Sequence, residues 1–274
     1  MSTVALGHAA WLDVHFEASR DAYAEMLGAV GFEAGWRVLD AGCGAGSHLP
    51  LLVAAVGPTG TVEAFDVAPE NVSAVRARAD QDGLRLGDVR VADITALPYE
   101  DDCYDATWCA NVTQYLDDDS MTQALAELRR ITRPGGLVAV KDVDMLRTSI
   151  HPGDPDLVAR LCLVCRSVAA RPESTGSTRG GRLGEWLVGA GLLDVRQLDQ
   201  LIPHAAPLSP VEREFVADWL AFLSRLPEVA LLPPGDRVQW ELLGNDRHPA
   251  SPIHSPSFRL AECQVLAVGR VPAP

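Results

Sequence analysis

The sequence predicts an α/β protein built on a doubly wound parallel sheet, and three observations carry that prediction. Short apolar strand segments alternate with helical segments along the first half of the chain, the order a parallel sheet needs because each crossover carries a helix. The first strand runs straight into a glycine-rich turn, and Asp40, Asp66 and Asp93 stand at the ends of the first three strands. The 274 residues, 47% hydrophobic and 22% charged, are enough to bury a substantial core.

Taken in order, residues 8–31 have helical spacing, with Trp11, Val14, Ala18, Ala22 and Met26 on one apolar stripe and Gly31 at the end. Trp36–Asp40 reads as a buried strand and His48–Val56 as an apolar helix. Thr61–Phe65 is the next strand, and Pro69 with Glu70 opens a helix that runs to Gln81. Leu86–Val91 and Tyr104–Cys109 are the third and fourth strands. A helix over Met121–Thr132 stops at Pro134-Gly135-Gly136, and Leu137–Val143 is the fifth strand. Beyond it come helices over Asp156–Ala169, Leu183–Ala190 and Pro210–Leu226, a strand over Val195–Ile202 and a last strand over Cys263–Val268. Loops rich in Gly, Ser, Pro and His fill 171–181 and 248–257. No repeat and no clean linker divides the chain, so 1–274 reads as one domain with helical insertions.

Composition excludes several classes. With 37 acidic and 23 basic side chains the net charge is −14, which disfavours nucleic acid and anionic membranes as partners. No run of apolar residues is long enough for a membrane span, and the first twenty residues do not read as a leader, so the expected location is cytoplasmic. Six cysteines are too few for a disulfide scaffold in a chain this long. Cys162 and Cys165 form a CxxC, but inside an apolar helical stretch, which favours packing over zinc; no metal is expected. Lys141 is the chain's only lysine.

The turn Asp40-Ala41-Gly42-Cys43-Gly44-Ala45-Gly46 reads GxGxG, not the GxGxxG of dinucleotide-binding proteins. The glycines let backbone approach a ligand closely. An aspartate two residues before them would repel a diphosphate and suit a ligand carrying an ammonium and a sulfonium, which favours S-adenosylmethionine over NAD.

At these residues the chain resembles the class I S-adenosylmethionine-dependent methyltransferase family, over roughly 35–145. VLDAGCGAG looks like its first motif and TVEAFDVAPENV like its second strand with the terminal acid. VRVADITALPYEDDCYDATWCANVTQYLDD resembles the next two motifs, and RRITRPGGLVAV the fifth strand. The resemblance implies a Rossmann-like methyltransferase fold: a seven-stranded, mostly parallel sheet with a helical cap at 1–34, a cofactor-binding core at 35–145 and helical substrate caps at 146–181 and 203–260. It implies that Gly42, Gly44 and Gly46 leave room for the methionine moiety, with Asp40 near its amino group and the Ala110 carbonyl beside it. Asp66 would bind the ribose hydroxyls, Val67 would pack on adenine, and Asp93 with Ile94 would meet the adenine amino group. The rival reading of Asp93, less favoured than the adenine contact, is a helix or turn cap.

Arg20 is placed to pair with the methionine carboxylate or to stand in solvent. Where many family members have a His pair after the fourth strand, this chain has Gln114 and Tyr115, expected near the transferred methyl. Methyl transfer needs positioned reactants and removal of a proton. Candidate bases are Lys141, Asp142 and Asp144 at the end of the fifth strand, and His151 beyond it; His151 is the residue expected to be catalytic, with a plain loop role as its rival. Asp142 and Asp144 could instead orient the substrate or face solvent. His204, His248 and His254 fall in the insertions. Trp11 and Phe16 would roof the acceptor pocket, while Trp219 and Phe222 read as core. An apolar roof points to a small organic acceptor, such as a specialised metabolite, methylated on O or N by a monomer or homodimer. The alternatives are an enzyme of the same fold that catalyses a cyclisation or rearrangement, and a noncatalytic ligand-binding protein.

Overall fold

A computed structural model describes residues 9–168 and 176–273, with side chains from Trp11 onward. Residue 8 of the predicted N-terminal helix and the segment 169–175 of the predicted cap and loop lie outside the described residues. Eight strands form one sheet: β1 (Arg37–Ala41), β2 (Thr61–Asp66), β3 (Val89–Val91), β4 (Tyr104–Ala110), β5 (Thr132–Val143), β6 (Ser149–His151), β7 (Leu193–Ala205) and β8 (Arg259–Arg270). The order is β3-β2-β1-β4-β5-β8, with β7 on the far side of β8. Neighbours from β3 to β5 pair in parallel, and β8 runs against β5, β6 and β7. The expectation of a mostly parallel sheet is met, with one strand more than predicted. That strand, β6, is three residues long and pairs only with the start of β8, too short for any periodic signal.

Helices cover both faces. On one, α2 (Arg20–Val30), α3 (Leu49–Val56) and α4 (Pro69–Asp82) pack Met26, Leu27, Leu52 and Val75 against Val38, Ala64 and Trp108. On the other, α5 (Asp118–Ile131) and α7 (Leu183–Gly189) pack Leu125, Leu128 and Leu187 against Leu39, Val138 and Val265. Over one end of the sheet, α1 (Ala9–Ala18), α6 (Leu157–Val168), α8 (Pro210–Ser224) and α9 (Pro234–Leu243) enclose a third core. Trp219 is buried in it and Phe222 packs against it; Cys162 and Cys165 point into it from α6.

Three predicted elements differ. The helix over 8–31 is two helices, broken at Ser19 (φ −122°, ψ 12°), so that Trp11 turns toward α8 while Tyr23 and Met26 turn toward the sheet. The Pro134-Gly135-Gly136 stop lies inside β5: the register jumps from Tyr104 opposite Thr132 to Ala106 opposite Leu137, and the intervening residues bulge. Gly136 is required there, since a Cβ would come within 2.5 Å of the Asp105 carbonyl oxygen. Helix α9 is unforeseen because Pro233-Pro234-Gly235 reads as a turn, whereas Pro234 occupies a first-turn position that tolerates proline.

Candidate functional site

The glycine turn is built by backbone hydrogen bonds to the neighbouring strand. Gly42 and Cys43 N–H groups both donate to the Phe65 carbonyl, at 2.9 Å each. Gly42, Gly44 and Gly46 have φ of 75°, 52° and 84°, the left-handed region that side chains resist. A Cβ on Gly42 would also sit 2.5 Å from Cγ2 of Val112. Asp66 ties the turn to β2: its Oδ2 accepts from Gly44 N at 2.8 Å, and its Oδ1 accepts from Ala68 N and Asn71 Nδ2. A carboxylate oxygen accepts two hydrogen bonds, so Oδ2 keeps capacity for a ligand hydroxyl.

Beside the turn, Asp40 is buried and its Oδ2 has no partner. Burial, reinforced by the charge of Asp66, pushes its carboxyl up to about 8. An orphaned buried carboxylate is costly, and a bound cation would relieve it. Val67, next to Asp66, leaves 69% of its surface exposed, an apolar face with nothing on it. Asp93 caps the turn it opens, its Oδ1 accepting from Thr95 N and Oγ1, which holds its carboxyl low. Ile94 behind it is buried. Ala110 closes β4 beside Lys141 of β5.

The expected acceptor residues divide. Trp11 and Phe16 are buried under α1, Trp11 6.2 Å from the Phe215 ring and Phe16 5.0 Å from His48. Gln114 and Tyr115 lie on a short helical turn after β4, with Tyr115 exposed. Asp142 is buried. Its Oδ2 accepts from Thr113 Oγ1 (2.7 Å) and Gln114 N (2.8 Å) and its Oδ1 from Val143 N, so it pins that turn to β5. Asp144 likewise is buried, accepts from Leu146 N at 3.1 Å and lies 4.0 Å from Arg147. Alternation along β5 explains this: Asp142 points away from the face that Lys141 presents to α2. Arg20 is exposed, pairs with Glu17 and lies 5.3 Å over the Phe16 ring.

His151 stands apart from this group. It is exposed on β6 and pairs with Arg259, whereas the end of β5 pairs with Gln264. Five residues of β8 separate these positions, about 16 Å at the strand rise. A cleft of about 240 Å³ next to it is lined by Ile150, Pro152, Leu157 and Gln239.

Sequence reasoning missed a buried polar cluster under α1 and α2. Lys141, 1% exposed, donates from Nζ to Asn111 Oδ1 at 2.7 Å and sits 3.7 Å from the centre of the Tyr23 ring. Tyr23 Oη and His15 Nε2 are 2.9 Å apart. His15 and His204 approach the two carboxylate oxygens of Glu262 at 3.7 and 3.6 Å, and Gln264 Nε2 donates to that carboxylate at 2.6 Å. His204, expected in a loop, is buried on β7. His48, before α3, packs on Tyr23 and Trp108; its Nε2 is buried without a partner, and burial beside Lys141 drops it to about 3. The signal that could have found this group is Glu262 and Gln264 at alternate positions of an otherwise apolar strand.

An open, mostly parallel sheet with a glycine turn after β1, acids at the ends of β1 and β2 and a buried, partnerless carboxyl oxygen beside the turn defines a Rossmann-like α/β protein. The comparisons agree. Residues 38–136 match the family model described as a methyltransferase domain. A 37.1 kDa protein of transposon TN4556 from Streptomyces fradiae is 38% identical over 216 residues, covering 78% of this chain and 58% of that one. The methyltransferase GfsG of Streptomyces halstedii is 33% identical over 111 residues, covering 40% of this chain and 38% of its own length. The YcgJ protein of Bacillus subtilis shares the fold, with a TM-score of 0.58 at 17% identity over 93% of this chain and 100% of that one. The chain thus carries a match to a methyltransferase domain over residues 38–136, within a fold it shares with the YcgJ protein. It spans less than two thirds of the length of either curated relative named here. Among the described residues no helix is long and apolar enough to cross a membrane.

Proposed function

We propose that this protein transfers a methyl group from S-adenosylmethionine to an O or N atom of a small organic acceptor. The observation that carries the reading is the buried, partnerless Oδ2 of Asp40 beside three left-handed glycines. That arrangement fits a ligand that brings its own cation to the turn and needs the space a Cβ would fill. Asp40 and the Ala110 carbonyl would hold the methionine ammonium, and Gly42, Gly44 and Gly46 would admit its chain. Asp66 would take ribose hydroxyls on Oδ2, and Val67 would cover one face of adenine while Ile94 and Asp93 bound its edge. Arg20, released from Glu17, would reach the carboxylate.

Bound there, S-adenosylmethionine supplies a methyl group on a positively charged sulfur, a good leaving group. The chain's own contribution is to position the acceptor against it and to exclude water. Trp11, Phe16, Gln114 and Tyr115 would line the acceptor side. The apolar third core behind them supports a small organic acceptor, such as a specialised metabolite handled in the cytoplasm. Asp142 and Asp144 act indirectly, by fixing the turns at 113–115 and 144–147.

Isothermal calorimetry with S-adenosylhomocysteine and with NAD tests the cofactor. Micromolar binding of the first and none of the second is expected; binding of S-adenosylhomocysteine no tighter than millimolar would end the reading. A panel of phenols and amines, followed by release of S-adenosylhomocysteine, tests the acceptor class. Ring closure or rearrangement of an acceptor without methylation would replace transfer by the other chemistry this fold can host.

A further inference from the structure

Resting on the methyltransferase reading, we propose that Lys141 is the base of the reaction, its Nζ taking the proton of the attacking hydroxyl or amine from a position between Asn111, Tyr23 and the start of α3. Burying an amine is expensive, and the chain buries its only one. The site chosen is the carboxyl edge of the sheet, where ligands lie in open α/β proteins. Lys141 pairs in register with Ala110, so the amine rises from the strand next to the one that ends at the acceptor turn.

The groups around Nζ orient it. Asn111 Oδ1 can only accept, and it takes one N–H at 2.7 Å. The face of Tyr23, 3.7 Å away, attracts a second. A neutral amine so held has its lone pair left for another proton. Asn111 itself is held at φ 59°, a left-handed conformation that brings it beside the amine.

Every charged or titratable group near Nζ bears on its ionisation. His48 faces it from the start of α3, Tyr23 from α2 and Glu262 from β8; His15 of α1 stands behind Tyr23, and Asp142 lies on the other side of β5. Burial pulls the amine down to about 7, against the upward pull of Asp142 and Glu262. A base is most effective when it titrates near the working pH. His48 binds a proton too weakly, Asp142 and Asp144 are spent on backbone and hydroxyl donors, and His151 lies along β8 from the site.

The step balances without a further reactant. A lone pair of the acceptor forms the new bond to the methyl carbon, and the carbon–sulfur pair returns to sulfur. The acceptor's proton goes to Nζ, which becomes an ammonium and later releases that proton to water.

Because Lys141 is the only lysine, protein grown with 13Cε-lysine gives one side-chain signal that needs no assignment. Titrating the unaltered chain from about pH 5 to about pH 10 is expected to give a midpoint near 7; a signal that stays in the ammonium form throughout overturns the proposal. A second measurement places the amine. Sinefungin carries an amine where S-adenosylmethionine carries its methyl-bearing sulfonium. Its affinity relative to S-adenosylhomocysteine is expected to rise about tenfold from pH 6 to pH 8, as Nζ loses its charge. The ratio should be flat in Lys141→Met and low at every pH in Lys141→Arg. A rise that persists in Lys141→Met overturns the proposal, because Nζ then does not face the methyl position. Failure of S-adenosylhomocysteine to bind at any pH would instead remove the cofactor reading, and shows in the first isotherm.

Discussion

The glycine turn and the buried polar cluster lie at the same edge of one sheet, and they are assembled in opposite ways. The turn is local: Asp40 to Gly46 are contiguous, and only Asp66 and Phe65 of the next strand complete it. The cluster gathers His15, Tyr23, His48, Lys141, His204 and Glu262 from six separate elements. Their ionisation differs in the same sense. The turn buries an acid that loses stability by being charged, and the cluster buries a base that does the same. A local site is specified by spacing; a distributed one depends on the docking of α1 and α2.

The comparison is broken most severely at the turn. Gly42→Ala puts a methyl group against Val112 at a left-handed φ, and binding of S-adenosylhomocysteine by calorimetry should fall at least about 100-fold. Asp40→Asn should cost roughly 10- to 100-fold in the same measurement, the worth of a charge-assisted hydrogen bond.

In the cluster, Glu262→Gln removes the carboxylate between two imidazoles and should lower unfolding stability in urea by about 1–3 kcal/mol, while affinity for S-adenosylhomocysteine changes less than about threefold. A larger loss of affinity would mean that the two regions are one.

The opposite charges sharpen the contrast through pH. Asp40 titrates at about 8 in the fold against 3.8 ordinarily, so its contribution to stability declines as pH rises through that window. Lys141 titrates at about 7 against 10.5, so its contribution declines as pH falls from 10.5 toward 7. Melting temperature without ligand should therefore rise by a few degrees at pH 8 in Asp40→Asn, and at pH 7 in Lys141→Met, the first gain fading only as pH falls toward 3.8 and the second only as pH rises toward 10.5. The smallest effect is expected at His151: His151→Ala should keep turnover within about twofold.

What could be read from sequence follows the same division. The strand–turn–helix order, the glycines and the strand-end acids are short-range features, and the fold and the turn were legible from them. Lys141 stood out as a lone lysine at a strand end, yet nothing local says whether its side chain meets Asn111 and Tyr23. That depends on the break at Ser19, which the unbroken apolar stripe of residues 11–26 conceals. His204 and Glu262 face each other only because β7 and β8 pair with Ile202 opposite Glu262, a contact across some sixty residues of intervening chain. The roles of Asp142 stayed open in the sequence for a plain reason: an acid at a strand end can serve a ligand or a neighbouring turn, and only the fold shows that Thr113 and Gln114 donate to it.

The reversed direction of β8 has a consequence for how this protein can change. A parallel strand delivers its last residues to the ligand edge, whereas β8 delivers its first, so Glu262 and Gln264 follow directly on the 248–257 loop. Insertions, deletions and exchanges in that loop reach this edge of the sheet without passing through the stretch 38–136 that matches a methyltransferase domain. Selection can therefore retool what is bound at one end of the sheet while inheritance preserves the other.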